Sequence, residues 1–258
     1  MSFKKINNIT GWAVFLIAST VYLMTMEATG SFWDTGEFIS SAYKLQIPHP
    51  PGAPLFVLLG RLFTIPLDAH HAALGLNTMS ALASGFTILF LFWTITHFAR
   101  KMVQPDEDQI TRQQMITILS AGVVGALAYT FSDSFWYSAV EGEVYALSSF
   151  FPAIVFWGIL KWEQEVDYDR KHGINVSRAD RWIVLLFYLM GLSIGVHLLN
   201  LLTIPALVMV YYFKRYKVTR IGALAAFLIG CAITGIVQVV VIKWSIQTAG
   251  AFDRIFVN

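Results

Sequence analysis

Residues 31–54 read SFWDTGEFISSAYKLQIPHPPGAP, and this stretch places acidic groups, a histidine and a proline turn inside an otherwise apolar chain. Asp34 and Glu37 lie three residues apart, which is the spacing of the N-cap and the third helical position in a capping box. One interpretation is therefore structural, a capped helix. The flanking aromatic residues favour a second one, an amphipathic helix over residues 35–45 that lies at a membrane surface. The carboxylate pair would then be held beside lipid.

Three prolines follow that helix and predict an extended turn. Pro48, Pro50 and Pro51 each fix their own φ and disfavour helical backbone in the residue before them. Residues 54–67 then predict a second interfacial helix, because this segment contains an arginine and its roughly 14 residues would extend only about 21 Å, against a membrane core of about 30 Å. The interfacial loop is thus predicted to occupy residues 30–71.

The composition indicates an all-α polytopic membrane protein. Hydrophobic residues make up 56% of the chain and charged residues 13%, whereas charged residues are about a quarter of a soluble domain. The net charge of +2 is small and scattered through loops, so we expect no nucleic-acid partner. The single cysteine, Cys231, excludes an internal disulfide bond.

About seven transmembrane helices are predicted in addition to the two interfacial helices. The apolar run at 182–213 would extend about 48 Å as one helix, which is too long for a single span. Basic residues flank both of its ends, so we expect a hairpin with its bend near residues 196–200. The predicted spans are 12–26, 72–98, 115–131, 144–160, two within 182–213, and 221–241.

The basic residues predict the orientation of the chain. Lys4 and Lys5 precede the first span, and the positive-inside rule places that end in the cytoplasm. The polar segment at 161–181 is then a cytoplasmic loop, and residues 30–71 are extracytoplasmic. This orientation collects unusual polar residues on the outer side: Asp34, Glu37, His49, Asp133, Glu141, Glu143, His197 and Asn200. For each residue alone a structural role, such as a hydrogen bond from His197 or Asn200 to a neighbouring helix, is equally acceptable, so the convergence of several is the stronger argument for a functional site.

Four short motifs in this chain carry a resemblance. An amino-terminal span, an acidic pair in the first outer loop and HPPGAPL resemble the GT-C superfamily of polyprenyl-phosphate-dependent glycosyltransferases. More narrowly, WDTGEF, HPPGAPL, FWYSAVEGEVYAL and GVHLLNLL are similar, in this order, to a bacterial polytopic family related to the eukaryotic plexin-type protein O-mannosyltransferase. The match covers residues 11–241. It implies one transmembrane domain over 1–258, a bacterial inner-membrane location, and further spans and a soluble region beyond Asn258.

The resemblance implies an inverting transfer of a sugar from a polyprenyl-phosphate donor to an acceptor hydroxyl, on a protein Ser/Thr or a glycan, at the outer face. Asp34 would be the base, since a weakly nucleophilic hydroxyl needs a carboxylate whose pKa desolvation can raise. Glu37 would orient the acceptor or assist the base. The leaving phosphate needs a cation or hydrogen-bond donors, for which Arg61, His49 and His197 are candidates.

The remaining candidates would bind substrate. Glu141 and Glu143 could contact sugar hydroxyls or the acceptor, or hold a divalent metal together with Asp34, while Tyr145 and Asn200 lie inside the matched motifs. Metal use stays open, and the lipid-linked sugar is the expected co-substrate, with membrane lipid and an acceptor protein or glycan as partners. Two other classes stay open as well: a transporter or channel component, and a non-catalytic membrane assembly subunit.

Overall fold

The computed structural model describes residues 2–104, 109–174 and 179–257, and these are helical with no strand. Five of the described helices are long and apolar enough to cross a membrane. A sixth span results if the bent pair Arg112–Thr130 and Asp133–Val140 counts as one. The predicted all-α polytopic membrane class is therefore confirmed.

The helices follow one another through short turns. They are α1 (Phe3–Thr25), α2 (Thr35–Lys44), α3 (Pro54–Thr64), α4 (Ala72–Val103), α5 (Arg112–Thr130), α6 (Asp133–Val140), α7 (Val144–Lys171), α8 (Asp180–Ile194), α9 (Thr203–Arg215), α10 (Arg220–Ile236) and α11 (Lys243–Val257). Short 3-10 segments, Ala69–His71 and Leu198–Leu202, precede α4 and α9. A π-helical turn, Val237–Ile242, joins α10 to α11.

Helix α4 is the centre of the bundle and packs against α1, α5 and α7. Small residues let these helices approach closely, as is usual between membrane helices. A Cβ atom on Gly85 would lie 2.0 Å from Ser19 Oγ of α1, and one on Gly122 of α5 would lie 2.5 Å from Thr96 Cγ2 of α4. Helices α1 and α5 are thus held against α4 at distances that only small side chains permit.

The two predicted short helices in the first loop are present as α2 and α3. Helix α3 begins with Pro54, whose missing N–H is tolerated in the first turn of a helix. The inner faces of both helices contribute Phe38, Ala42 and Phe56 to a buried cluster that also contains Leu76 of α4. The short helices therefore lie on one end of the bundle. Their position at a membrane surface stays a prediction.

The structure gives fewer membrane spans than the seven predicted, and the difference lies at α8. Residues 182–213 do form a hairpin, with its turn at residues 195–202, as predicted. Helix α8, however, has 15 residues. At about 1.5 Å per residue it extends about 22 Å, which is less than the membrane core of about 30 Å. The described residues therefore contain five or six helical segments that are long and apolar enough to span a membrane.

Two predicted boundaries are also corrected. Helix α7 continues to Lys171, so the loop predicted at 161–181 is mostly helix, and residues 175–178 of it lie outside the described residues. The charged end of α7 is stabilised by ion pairs, among them those of Glu163 with Lys101 and Lys214. The last helical segment runs beyond the predicted end near residue 241 to Val257, because no proline interrupts it.

Candidate active site at one end of the bundle

The segments that carry the four motifs meet at the end of the bundle where α1 ends and α4 and α7 begin. The Thr35 hydroxyl donates a hydrogen bond to Glu143 Oε1 at 3.3 Å, which joins the first motif to the third. The backbone N–H of Leu55 donates to the carbonyl of Gly195 at 2.8 Å, which joins the second to the fourth. A hydrogen bond from the His49 N–H to Glu37 joins the first motif to the second, so segments of all four motifs lie at this end of the bundle.

Asp34, Glu37 and His49 form a compact polar cluster at this end. The Glu37 carboxylate accepts two hydrogen bonds from His49, from its backbone N–H at 2.6 Å and from its ring Nδ1 at 2.9 Å. The other ring nitrogen, Nε2, lies 3.9 Å from Asp34 Oδ2. Because Nδ1–H is committed to Glu37, the histidine presents Nε2 towards Asp34.

The capping-box interpretation of the acidic pair is wrong. Asp34 occupies the N-cap position of α2, yet its side chain makes no capping hydrogen bond. Glu37 does not reach back to the N-cap residue, because both of its carboxylate oxygens are bonded to His49. Glu37 therefore bonds to the proline turn that carries His49, and not to the first residues of α2.

The hydrogen bonds between Glu37 and His49 shift both titrations. They lower the pKa of the Glu37 carboxyl and raise the pKa of the His49 imidazole, whose positive charge is also favoured by Asp34. The two groups are therefore charged together between the lowered pKa of Glu37 and the raised pKa of His49. Over that range the imidazolium lies between the side chains of Glu37 and Asp34, and the Asp34 side chain is 57% exposed at the rim.

Two further carboxylates flank the cluster in a less solvated place. The Ser31 hydroxyl donates to Glu141 Oε2 at 2.8 Å, and Glu143 is only 7% exposed. Burial raises the pKa of both carboxyls, and the negative charges of Glu141 and Asp34 raise that of Glu143 further. The desolvation that was predicted for Asp34 is thus found instead at Glu141 and Glu143, which can stay protonated at higher pH than ordinary glutamates.

His197 and Tyr145 lie next to each other at the amino-terminal end of α7. Their ring centroids are 5.9 Å apart, and His197 Nδ1 accepts a hydrogen bond from the Leu199 N–H at 3.2 Å. Burial lowers the pKa of His197, which favours the neutral ring. With Nδ1 acting as an acceptor, the neutral ring carries its proton on Nε2 and can donate it to an oxyanion.

Two of the predicted substrate-binding residues have structural partners instead. Arg61 Nη1 donates to the carbonyl of Tyr43 at 2.6 Å, at the end of α2 opposite Asp34. Asn200 is 2% exposed and bonds to the Ser193 carbonyl and the Ser148 hydroxyl. These contacts account for both side chains without a substrate, and for Asn200 they are the helix-to-helix hydrogen bonds considered from the sequence.

Sequence reasoning missed the residues that hold the site together. Ser31 and Thr35 pair with carboxylates 110 and 108 residues away along the chain, and no spacing rule predicts such a pair. The backbone conformation of Trp33 was also not predicted. Its φ of 59° lies in the left-handed region, which costs a non-glycine residue about 1–3 kcal/mol. A signal for Thr35 was its place inside WDTGEF, between the two acidic residues.

Comparison with known proteins identifies relatives over most of the chain. The family model described as "Protein O-mannosyl-transferase TMEM260 N-terminal domain" matches residues 34–220. A Dictyostelium discoideum protein named Protein O-mannosyl-transferase tmem260 is 24% identical over 203 residues, which are 78% of this chain and 22% of that protein. The Mus musculus protein of the same name is 24% identical over 152 residues, 59% of this chain and 19% of that protein.

These alignments cover about a fifth of the length of the curated relatives. No solved structure matches the chain significantly. The matched region begins at Asp34 and contains the polar cluster, both short helices and the turn at His197.

Proposed function

This chain belongs to the protein O-mannosyl-transferase TMEM260 N-terminal domain family, and on that premise we propose that it is a membrane glycosyltransferase. It transfers a sugar, with inversion, from a polyprenyl-phosphate donor to a hydroxyl of a protein Ser/Thr or a glycan at the extracytoplasmic face. The observation that carries this proposal is the cluster in which Asp34 lies 3.9 Å from a histidine that Glu37 holds in place.

Asp34 acts as the general base in this reaction. Its carboxylate is exposed at the rim of the site, where an acceptor hydroxyl can approach to hydrogen-bonding distance. The acceptor oxygen forms a bond to the anomeric carbon, and the bond from that carbon to the phosphate oxygen breaks on the opposite side. The acceptor proton passes to Asp34, and the phosphate leaves with the bonding electron pair.

Glu37 and His49 position the base. With Nδ1 bonded to Glu37, the imidazolium directs Nε2–H towards Asp34 and limits the orientations of that carboxylate. The expectation that Glu37 orients the acceptor directly is replaced by this role, since both Glu37 oxygens contact His49. His197, whose Nε2–H can donate, is the candidate for stabilising the phosphate as it leaves.

Glu141, which is partly buried, and Glu143, which is buried, are suited to binding the sugar. A protonated carboxyl can both donate to and accept from a hydroxyl, and the raised pKa values of Glu141 and Glu143 favour that form. A divalent cation is a second way to neutralise charge here. Asp34, Glu37 and His49 offer ligand atoms within 4.8 Å of one another, and two carboxylates with one imidazole suit Mn²⁺ or Zn²⁺.

The apolar surface around the cluster supports a position beside the lipid headgroups. Trp33 is 93% exposed, Ile47 89% and Phe32 79%, while Leu58 and Leu62 project outward from α3. Such a rim is costly in water but favourable at a membrane interface. The phosphate of a polyprenyl donor lies at this depth, so the donor can reach the cluster without leaving the bilayer.

An assay of donor turnover tests the proposal. The purified protein in lipid nanodiscs is incubated with radiolabelled polyprenyl-phosphate sugars, and wild type is compared with Asp34→Asn. Because a general base contributes about 10²- to 10⁴-fold, we expect Asp34→Asn to reduce turnover at least about 100-fold. The matched control is Asp133→Asn, an exposed carboxylate at the same end of the bundle, which should retain wild-type turnover.

Two results would contradict the proposal. Equal turnover in the Asp34 and Asp133 variants would remove the base role from Asp34. Folded wild-type protein that turns over no donor in the panel would remove the glycosyltransferase activity. A loss of turnover in wild type after chelation, restored by Mn²⁺ or Zn²⁺, would show that turnover requires a divalent cation.

A further inference from the structure

The segment that leads into Asp34 runs alongside the loop between α6 and α7. Three hydrogen bonds join the two segments, and they pair Glu27 with Val140, Ser31 with Glu141, and Thr35 with Glu143. The first is a backbone bond of 3.1 Å, and the other two run from hydroxyls to carboxylates. Because the partners advance in the same direction on both segments, residues 27–35 and 140–143 are fastened along their length.

Asp34 lies between the second and third of these bonds. Its neighbour Trp33 has a φ of 59°, and a non-glycine residue keeps such a conformation only where its surroundings impose it. The Trp33 residue is 93% exposed, so packing of its side chain does not account for this backbone. The bonds from Ser31 and Thr35, on either side of Trp33, are the contacts that hold it.

Asn77 of α4 contacts both segments and lies outside all four motifs. Its Nδ2 donates to the carbonyl of Glu27 at 2.7 Å and to that of Thr29 at 3.4 Å. A Cβ atom on Gly142 would lie 2.9 Å from Asn77 Oδ1, so the loop at 140–143 lies against the same amide group. Asn77 is fully buried. One side chain therefore fixes both segments relative to the central helix of the bundle.

We propose that Thr35 and Asn77 are positioning residues that fix the backbone of Asp34 for the transfer reaction. This inference rests on the proposed role of Asp34 as the base. Glu37 and His49 act on the orientation of the carboxylate, whereas Thr35 and Asn77 determine where its backbone lies. Both side chains are fully buried and act through other residues, without touching substrate. Because a misplacement of about 1 Å can cost about 100-fold in rate, this fixing affects the chemical step more than binding.

Steady-state kinetics of Thr35→Val and Asn77→Leu test the inference, since each change removes the hydrogen bond and keeps a side chain of similar size. A base acts only in the transition state, so we expect kcat and kcat/KM to fall together, by about 10- to 100-fold, with KM for the donor nearly unchanged. Thr35→Ser keeps the hydroxyl and should recover most of the turnover. The matched control is Thr64→Val, which removes an equally buried hydroxyl that donates to the Arg61 carbonyl within α3. It should turn over donor like wild type.

Hydrogen exchange gives a second readout that does not depend on turnover. If the two segments are fastened together, Thr35→Val and Asn77→Leu should speed amide exchange in residues 27–37 and in residues 140–145 at once, because each segment then opens more often. Thr64→Val should leave both regions as in wild type. Thermal unfolding identifies a variant that loses the whole fold, and Thr35→Val, which changes a single hydroxyl, carries the test if Asn77→Leu does so.

Three results would overturn the proposal. The first is kinetics of Thr35→Val that match those of Thr64→Val, and the second is a rise in KM with kcat unchanged, which would assign the contact to substrate binding. The third is unchanged exchange in both segments. An absence of turnover in wild type would instead contradict the proposed function, and the exchange measurement would still decide whether these contacts fix the segment that carries Asp34.

Discussion

The Glu37 carboxylate accepts two hydrogen bonds from a single residue, His49, one from its backbone N–H and one from its ring. The first hydrogen bond fixes the position of the proline turn and the second fixes the orientation of the imidazole. His49 also packs against Phe38, with ring centroids 5.7 Å apart, which limits rotation of the ring. A single carboxylate therefore determines where Nε2 points and, through it, the surroundings of Asp34.

Glu37→Gln tests that role through the pH dependence of donor turnover. The raised pKa of His49 means that its imidazolium is present below that pKa and is lost as the pH rises through it. Without the Glu37 charge the pKa of His49 falls towards its ordinary value. We expect the alkaline limb of the turnover profile to move to lower pH, with Ser40→Ala, which alters a hydroxyl bonded only within α2, as the control. An unshifted limb would show that His49 does not act in turnover.

At the level of helices, α3 is held against α4 by glycine. A Cβ atom on Gly75 would lie 2.8 Å from the carbonyl oxygen of Phe63, which is backbone and cannot rotate away. Gly60 makes the matching approach from α3, where a Cβ atom would lie 2.5 Å from Leu76 Cδ1. Since α3 follows the turn that carries His49, its distance from α4 sets the position of that turn.

Gly75→Ala should therefore displace α3 and destabilise the protein by about 1–3 kcal/mol, as overpacking does. Gly191→Ala in α8 is the control, because a Cβ atom there meets nothing within 4 Å. Alanine in a helix interior should stabilise that position by up to about 1 kcal/mol. Thermal unfolding of the two variants in the same detergent measures the difference. If both midpoints rose, the close contact of α3 with α4 would not limit stability.

Elements whose sequence signal lies within a few residues could be predicted, whereas contacts between distant parts of the chain could not. Proline and the apolar pattern predicted α2, α3 and the hairpin turn at 195–202. Asp34, Glu37 and His49 were selected as polar residues in an apolar chain, but their mutual geometry depends on a turn that spacing alone does not describe. The hydrogen bonds to Glu141 and Glu143 cross more than 100 residues, so only the packed bundle reveals them.

Across the whole molecule, the two ends of the bundle differ in charge. The cluster of Asp34, Glu37, Glu141 and Glu143 lies at one end, and basic residues concentrate at the other. Those at the second end include Lys4, Lys5, Arg100, Lys101, Lys214, Arg215, Lys217 and Arg220. Because basic loops are retained in the cytoplasm, this asymmetry predicts that the basic end of the bundle faces the cytoplasm and the Asp34 cluster faces outward.

Cysteine labelling in intact cells tests this orientation. In a Cys231→Ala background, which removes the one native thiol, Asp133→Cys marks the end with the Asp34 cluster and Lys217→Cys marks the other end. We expect a membrane-impermeant maleimide to label Asp133→Cys in intact cells, and Lys217→Cys only after permeabilisation, because the basic end is retained inside. The reverse pattern would place the Asp34 cluster in the cytoplasm. A donor at the outer leaflet could not then reach it, so the same result would contradict the extracytoplasmic reaction.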